Sequence, residues 1–211
     1  MACRILSSHG VQRPARALKA DEMNKLNIST ETILKSKRLW LRYPKLDDAS
    51  QIFSAVKSPQ FPDSLPLKEM NALSEIEVWL KRLQDAWAKG QAFSWIIEDP
   101  ASREILGQVT LSKTEGDNQW ALAFWTHPNH GGKGYATEGA KRLLAFGFEE
   151  VGAKKIWAGA GEWNRVSCRV LEKIGMSYVG DNPKGYYSKG EPIATREYEI
   201  SRESWQKRTR K

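Results

Sequence analysis

Cysteine is scarce: two in 211 residues, Cys3 and Cys168, far apart and in unlike contexts. That excludes a disulfide scaffold and a cysteine zinc site, and it fits a reducing, cytoplasmic setting. Cys168 falls in a predicted helix and reads as a small core residue. Histidine is scarce too. His127 and His130 have a ligand-like spacing, yet no Cys or carboxylate stands beside them, so no metal is expected. No apolar run approaches the ~20 residues needed to span a bilayer as a helix. Internal repeats and low-complexity tracts are absent, which excludes solenoids and filaments. Residues 1–30 lack a sustained period and the apolar core of a secretory signal, and are expected to form a poorly structured extension. Their acid-free, Arg-bearing start has the character of an organelle-targeting peptide; a true start at Met23 accounts for it equally well.

What is present suits one domain of ordinary size, here placed at 31–205, with a basic tail at 206–211. The net charge is +8. Most of it lies at the ends: Arg4, Arg13, Arg16 and Lys19 near the start, and Arg202, Lys207, Arg208, Arg210 and Lys211 near the finish. The body between is nearly neutral. The basic ends are open to RNA, to an acidic partner or to solvent alone.

The most informative stretch runs from His127 to Gly152. Gly131, Gly132 and Gly134 precede an apolar pattern of Ala136, Ala140, Leu143, Leu144, Phe148 and Val151, so a glycine loop opens an amphipathic helix. Free N–H groups and the positive end of the helix dipole make that start a cradle for a phosphate or pyrophosphate. Lys133 is followed by Gly134 and not Ser or Thr, which argues against a nucleotide-triphosphatase loop. Thr137 stands where a dinucleotide fingerprint needs its third glycine. A loop that merely caps the helix is the alternative at this stage.

Around this stretch the chain reads as a strand at Arg38 to Tyr43, a helix from Asp47 and a Pro-rich loop at Ser58 to Leu67. A second helix follows, marked by a capping signature of Ser74 and Glu77. Three strand-like runs, Ala92 to Glu98, Glu104 to Lys113 and Gln119 to Thr126, form an antiparallel meander. After the glycine-loop helix come a strand at Lys155 to Gly161, a helix at Asn164 to Gly175 and a strand at Met176 to Val179. A Pro/Gly-rich excursion at Asp181 to Pro192 then leads to a last strand at Thr195 to Ser201. The order is βααβββαβαββ, an α+β fold on a mixed sheet.

Four strings, SKRLWLRYPKLDDA, GGKGYATEGAKRLL, NRVSCRVLEKIGM and TREYEISRESW, in this order resemble the GNAT superfamily of acyl-CoA-dependent N-acetyltransferases, and within it the RimJ/RimL-type branch. The resemblance covers roughly Leu34 to Trp205. It implies a sheet splayed between its fourth and fifth strands, with acetyl-CoA in the opening as co-substrate. The pyrophosphate is then expected on Gly131, Gly132, Lys133, Gly134, Tyr135, Ala136 and Thr137. Pantetheine is expected against Trp125, Thr126, His127 and Asn164, and His130 is placed to meet a CoA phosphate. Many members carry Gln or Arg where this chain has Gly131.

The implied chemistry is attack of a primary amine on the thioester, which needs a neutral amine, an oxyanion donor and a proton for the thiolate. A backbone N–H near Trp125 is the expected oxyanion donor. The family's common acid, a Tyr, is replaced by Leu171, and the resemblance to the RimJ/RimL-type branch moves that role to Ser167. The common base, a Glu, is replaced by Ala121. With no base, an α-amine of pKa near 8, roughly a tenth neutral at pH 7, is a better acceptor than a lysine. The acceptor is therefore expected to be a protein or peptide N-terminus or a small-molecule amine, bound by a monomer or homodimer. Acceptor choice is expected to come from the Pro-rich loop and the Asp181 to Pro192 excursion. A non-catalytic acyl-CoA-binding relative, or a ribosome-associated protein using its basic ends, stays open.

Overall fold

The computed structural model describes residues 2–3 and 28–209. The strands are β1 (Ala2–Cys3), β2 (Leu34–Lys35), β3 (Trp40–Arg42), β4 (Ala92–Glu98), β5 (Ile105–Lys113), β6 (Gln119–Thr126), β7 (Lys155–Gly161), β8 (Ser177–Ser188) and β9 (Glu191–Ser201). The helices are α1 (Ala49–Lys57), α2 (Leu73–Ala88), α3 (Tyr135–Glu149), α4 (Arg165–Lys173) and α5 (Arg202–Thr209). The sheet runs β2-β3-β4-β5-β6-β7-β9-β8, with β1 against β6. Every neighbour pair is antiparallel except β6 and β7.

Strand alternation sorts the side chains into two faces. Phe93, Trp95, Val109, Leu111, Trp120, Leu122, Ile156, Ala158 and Tyr198 line one face and form the main core with α3 and α4. In that core Trp87, Trp95 and Phe146 meet edge to face at centroid distances of 4.7 and 5.5 Å. Truncating Trp95 to Ala would cost about 3–5 kcal/mol. Gly147 lets α3 settle on the sheet, since a Cβ there would lie 2.7 Å from Ile156 Cδ1. The opposite face holds a second core, where Ile96, Ile105 and Trp125 pack beneath α1, α2 and the Pro-rich loop through Phe61, Leu65 and Leu67.

The mixed sheet and its βααβββαβαββ frame agree with the sequence reading, with five differences. The strand expected from Arg38 narrows to Trp40–Arg42 and gains Leu34–Lys35 as an antiparallel neighbour. Helix α2 is boxed by Glu75, whose carboxylate accepts from Ala72 N at 2.9 Å, and not by Glu77. The excursion at Asp181 to Pro192 is no loop: β8 and β9 make one long hairpin that absorbs its breakers through register shifts at Tyr178/Gly180 and Asn182/Tyr186. The basic finish forms α5, seated by Trp205 stacking on Phe148 at 5.3 Å and by Arg202 donating to Ala153 O. Finally, β1 lies inside the expected N-terminal extension.

Candidate active site

The glycine loop is a 3-10 turn at Pro128–His130 followed by Gly131, Gly132, Lys133 and Gly134. Gly132 (φ 76°) and Gly134 (φ 81°) occupy the left-handed region, which L side chains enter at about 1–2 kcal/mol. Gly134 is the N-cap of α3. A methyl at Gly132 would meet no protein atom within 4 Å, so the loop's inner surface is bare backbone. Arg38 pins the loop from outside: Nη1 donates to Lys133 O (3.1 Å), Nε pairs with Glu138 (2.7 Å), and the guanidinium lies 4.8 Å from the Tyr135 ring centroid. Partial burial raises the Glu138 carboxyl, but hydrogen bonds from Arg38 and Ser36 outweigh it and hold it below the usual range. Glu138 is thus a structural anchor.

The sheet opens where the sequence reading placed the opening. Parallel pairing of β6 with β7 stops at Ala121↔Trp157, and the strands diverge beyond it. His127 donates its N–H to Leu106 O at 2.9 Å, on the β5 side. Backbone direction alternates along a strand, so Trp125 faces β5 as well, and Phe124 and Thr126 turn their N–H and C=O groups into the opening. Of the three residues expected to offer backbone there, Thr126 does so; Phe124 replaces Trp125 and His127. The short β1 pairs along this edge, Cys3 opposite Phe124.

Two grooves meet at Thr126 and Val166. One, of about 180 Å³, joins Gly132, Gly134, Tyr135, Ala136, Thr137 and His130 to Arg169 and Lys173 of α4. The other, of about 310 Å³, is lined by His127, Pro128, Gly131, Trp163, Asn164, Arg165 and the Pro-rich loop residues Gln60 and Pro62. Arg169 and Lys173 escaped the sequence reading, although their i, i+4 spacing puts both on one helix face. Trp163, 44% exposed, lines the larger groove.

Asn164 caps α4, its Oδ1 accepting the Ser167 N–H at 3.1 Å. The Ser167 side chain lies fully buried in the first turn, and its Oγ has no hydrogen-bond partner. Thr126 Oγ1, 4% exposed at the junction of the grooves, is unpartnered too. Two such hydroxyls on the elements that flank the opening are costly to the bare fold, at about 1–3 kcal/mol each, and they suit a ligand that accepts hydrogen bonds. Burial lowers the His127 imidazole below its usual range, His130 adds to this, and Glu104 offsets part. Its Nδ1 accepts the Asn129 N–H (3.2 Å), so His127 is a neutral donor through Nε2 at pH 7. His130 lies 3.9 Å from Glu104 and 3.5 Å from Lys133 Nζ. Among the described residues, no three His, Cys, Asp or Glu side chains gather as a metal site.

Glu69, two residues past the Pro-rich loop, ties this part of the chain to the tip of the β8–β9 hairpin: its Oε1 accepts from Ser188 Oγ (3.1 Å) and Lys189 N (2.8 Å). Leu171, at the family's tyrosine position, is apolar and packs in the main core, so it offers no proton.

A bare glycine loop opening a helix and, beside it, a parallel strand pair that parts midway are the marks of an acyl-CoA-dependent acyltransferase fold. Residues 38–177 match the acetyltransferase (GNAT) domain family, and the chain belongs to it. It is an acetyltransferase of the acetyl-CoA-dependent, N-acetylating kind. It is 32% identical over 158 residues to the uncharacterized protein YkkB of Bacillus subtilis (strain 168), spanning 72% of this chain and 88% of that one. Among solved structures it resembles a GNAT-family acetyltransferase from Bacillus anthracis (TM-score 0.71, 22% identity, 82% of this chain and 99% of that chain). It also resembles RimL, a ribosomal L7/L12 alpha-N-protein acetyltransferase in complex with coenzyme A (TM-score 0.72, 15% identity, 81% and 98%). No helix among the described residues is long and apolar enough to cross a membrane.

Proposed function

We infer that this chain transfers the acetyl group of acetyl-CoA to a primary amine of modest basicity, with the α-amine of a protein or peptide as the first candidate and small-molecule amines as the second. The observation that carries this reading is the meeting of the two grooves at Thr126. A pyrophosphate on the N–H groups of Gly132 to Thr137, with Arg169 and Lys173 beside it, directs the pantetheine arm to the Thr126 end of the opened edge, beyond the Phe124 stretch that β1 covers. The thioester then lies at the mouth of the larger groove.

In that position the amine lone pair forms a bond to the thioester carbon. The developing oxyanion takes a hydrogen bond from an edge N–H, for which Thr126 is the assigned donor. As the C–S bond breaks, Ser167 Oγ gives the thiolate its proton, with the Asn164 cap holding the helix turn that carries it. Asn164 and the backbone of Gly131 flank the arm.

Thermal unfolding with acetyl-CoA, CoA, ATP and NAD in parallel tests the cradle. At a thousand times the dissociation constant, binding adds about 4 kcal/mol to stability, on the order of ten degrees for a domain this size. A shift with the two CoA species alone, followed by acetylation of N-terminal peptides, is the expected result. CoA binding without transfer to any amine would favour a non-catalytic acyl-CoA-binding role.

A further inference from the structure

Ala121 leaves the opened strand with no carboxylate, but the same face of the sheet carries one elsewhere. On β9, Glu197 lies directly opposite Gly159 of β7, the strand that forms the far wall of the opening. Its carboxylate crosses that strand: a Cβ on Gly159 would lie 3.1 Å from Glu197 Oε1 and 3.3 Å from Oε2. Tyr198 and Ile200 point into the main core, so Glu197 belongs to the other face, with Ala121, Ala123 and Trp125. On this face β7 presents Gly159 level with Glu197 and Trp157 opposite Ala121, while β1 lies along the β6 edge. Ala121, Ala123 and Glu197 are all partly exposed, and α1 and α2 cover the sheet only as far as Ile96, Ile105 and Trp125.

The carboxylate is held but not neutralised. Thr195, fully buried, donates its hydroxyl to Glu197 Oε1 at 2.6 Å. No Lys, Arg or His among the described residues pairs with Glu197. The other charged side chains on this face of β7 and β9, Lys155 and Glu199, pair with each other at 2.8 Å. Arg196 turns to the opposite face, over the Tyr178 ring. The residue of β8 across from Glu197 is Gly180, where a side chain would meet nothing within 4 Å. An oriented carboxylate flanked by Gly159 on one strand and Gly180 on the other, with no cation of its own, has the chemistry of an ammonium site.

We propose that Glu197, aligned by Thr195 and reaching over Gly159, binds the acceptor ammonium and serves as the general base that the opened strand lacks. This rests on the acetyl-transfer reading above. The ammonium passes one proton to the carboxylate, and the freed lone pair forms the C–N bond. The C–S bond breaks, the thiolate leaves with the proton from Ser167, and the second amine proton returns through water to restore Ser167. The sum is ammonium plus acetyl-CoA giving amide, CoA thiol and one proton. The proposal selects acceptors that arrive as cations and disfavours acidic or neutral nucleophiles.

The test is E197Q against the wild-type full chain, with acetyl-CoA and an Ala-initiated peptide bearing a free α-amine, over pH 6 to 10. Expected is a fall in kcat/KM of about a hundredfold at pH 7, with the acetyl-CoA thermal shift undiminished. The deficit should shrink to about tenfold or less above pH 9, where the amine is already neutral. The variant A121E/E197Q, which returns a carboxylate to the opened strand, should recover part of the loss. Wild-type transfer with E197Q equal to it, or a deficit constant across pH, overturns the proposal while leaving acetyl transfer standing. Wild-type failure on every amine tried, with CoA binding intact, overturns the transfer reading instead. Should E197Q not fold, E197D carries the same test: it keeps the charge, withdraws it by one methylene, and is expected to lose at least tenfold at pH 7.

Discussion

Thr126→Val separates function from fold more cleanly than any other single change in this chain. Valine keeps the shape and the β-branch, so the strand and its packing are preserved. What is lost is a hydroxyl that is 4% exposed and has no hydrogen-bond partner. A buried, unsatisfied donor costs about 1–3 kcal/mol, and its replacement by a methyl recovers part of that. The ligand-free variant should therefore be more stable by about 1 kcal/mol, a rise of roughly 2–4 °C in Tm at this chain length. Turnover should move the opposite way. If the hydroxyl serves the thioester, its loss removes a donor from a dry site, worth about ten- to a hundredfold in kcat/KM. Differential scanning calorimetry of the free protein, paired with thiol release from acetyl-CoA, reads both arms. A destabilised variant would mean that the hydroxyl has an internal partner. A stabilised variant with unchanged turnover would mean that it is a packing residue, and the junction of the two grooves would lose its chemical meaning. Ser167→Ala follows the same logic with a smaller gain, because alanine leaves a small void.

Three further outcomes follow from the site. Gly132→Ala puts a Cβ where no protein atom lies within 4 Å, so the fold should lose only the roughly 1–2 kcal/mol of left-handed strain. Acetyl-CoA affinity by calorimetric titration should fall at least tenfold, and an unchanged affinity would remove the loop as the pyrophosphate cradle. Arg169→Ala with Lys173→Ala should weaken acetyl-CoA several-fold and flatten the dependence of its binding on salt; an identical salt slope would show that neither side chain meets a phosphate. Glu138→Gln tests the anchor through pH. Because the folded carboxyl sits below its ordinary range, its stabilisation is present above the unfolded pKa near 4.3 and is lost as pH falls through the folded value. The variant should be less stable than wild type at pH 7, by less than about 1 kcal/mol since Arg38 is partly exposed. The two should converge once pH has fallen through the depressed range of the folded carboxyl; a gap that persists there would point to packing instead of charge.

The parts of this site that were legible in the sequence are those that local stereochemistry dictates. Three glycines in four positions before an apolar period can hardly be anything but a bare helix start, and the left-handed φ at Gly132 and Gly134 is what that spacing requires. The parts that were not legible depend on pairing between distant segments. Which backbone groups of β6 face the opening follows from the phase of its ladder with β5, where Gly107 meets Thr126, and no residue type records that phase. The hairpin was hidden because Pro183, Gly185, Gly190 and Pro192 read as breakers, whereas the register shift at Asn182/Tyr186 accommodates the first two, Gly190 lies in the turn between the strands and Pro192 pairs with Tyr187 in register. The basic finish read as a solvated tail because its charges outweighed a lone Trp205, whose contact with Phe148 is 57 positions away in the chain. Glu197 is the sharpest instance. In TREYEIS its alternation with Tyr198 and Ile200 marks it as the polar side of an ordinary strand, which it is. Only the register that sets Gly159 opposite, and the loss of β6–β7 pairing just past Ala121, turn that polar side into one wall of the opening. A carboxylate two strands away from the usual one leaves no motif behind, so the gap at Ala121 and the proposed role of Glu197 become parts of one arrangement only when the strands are laid side by side.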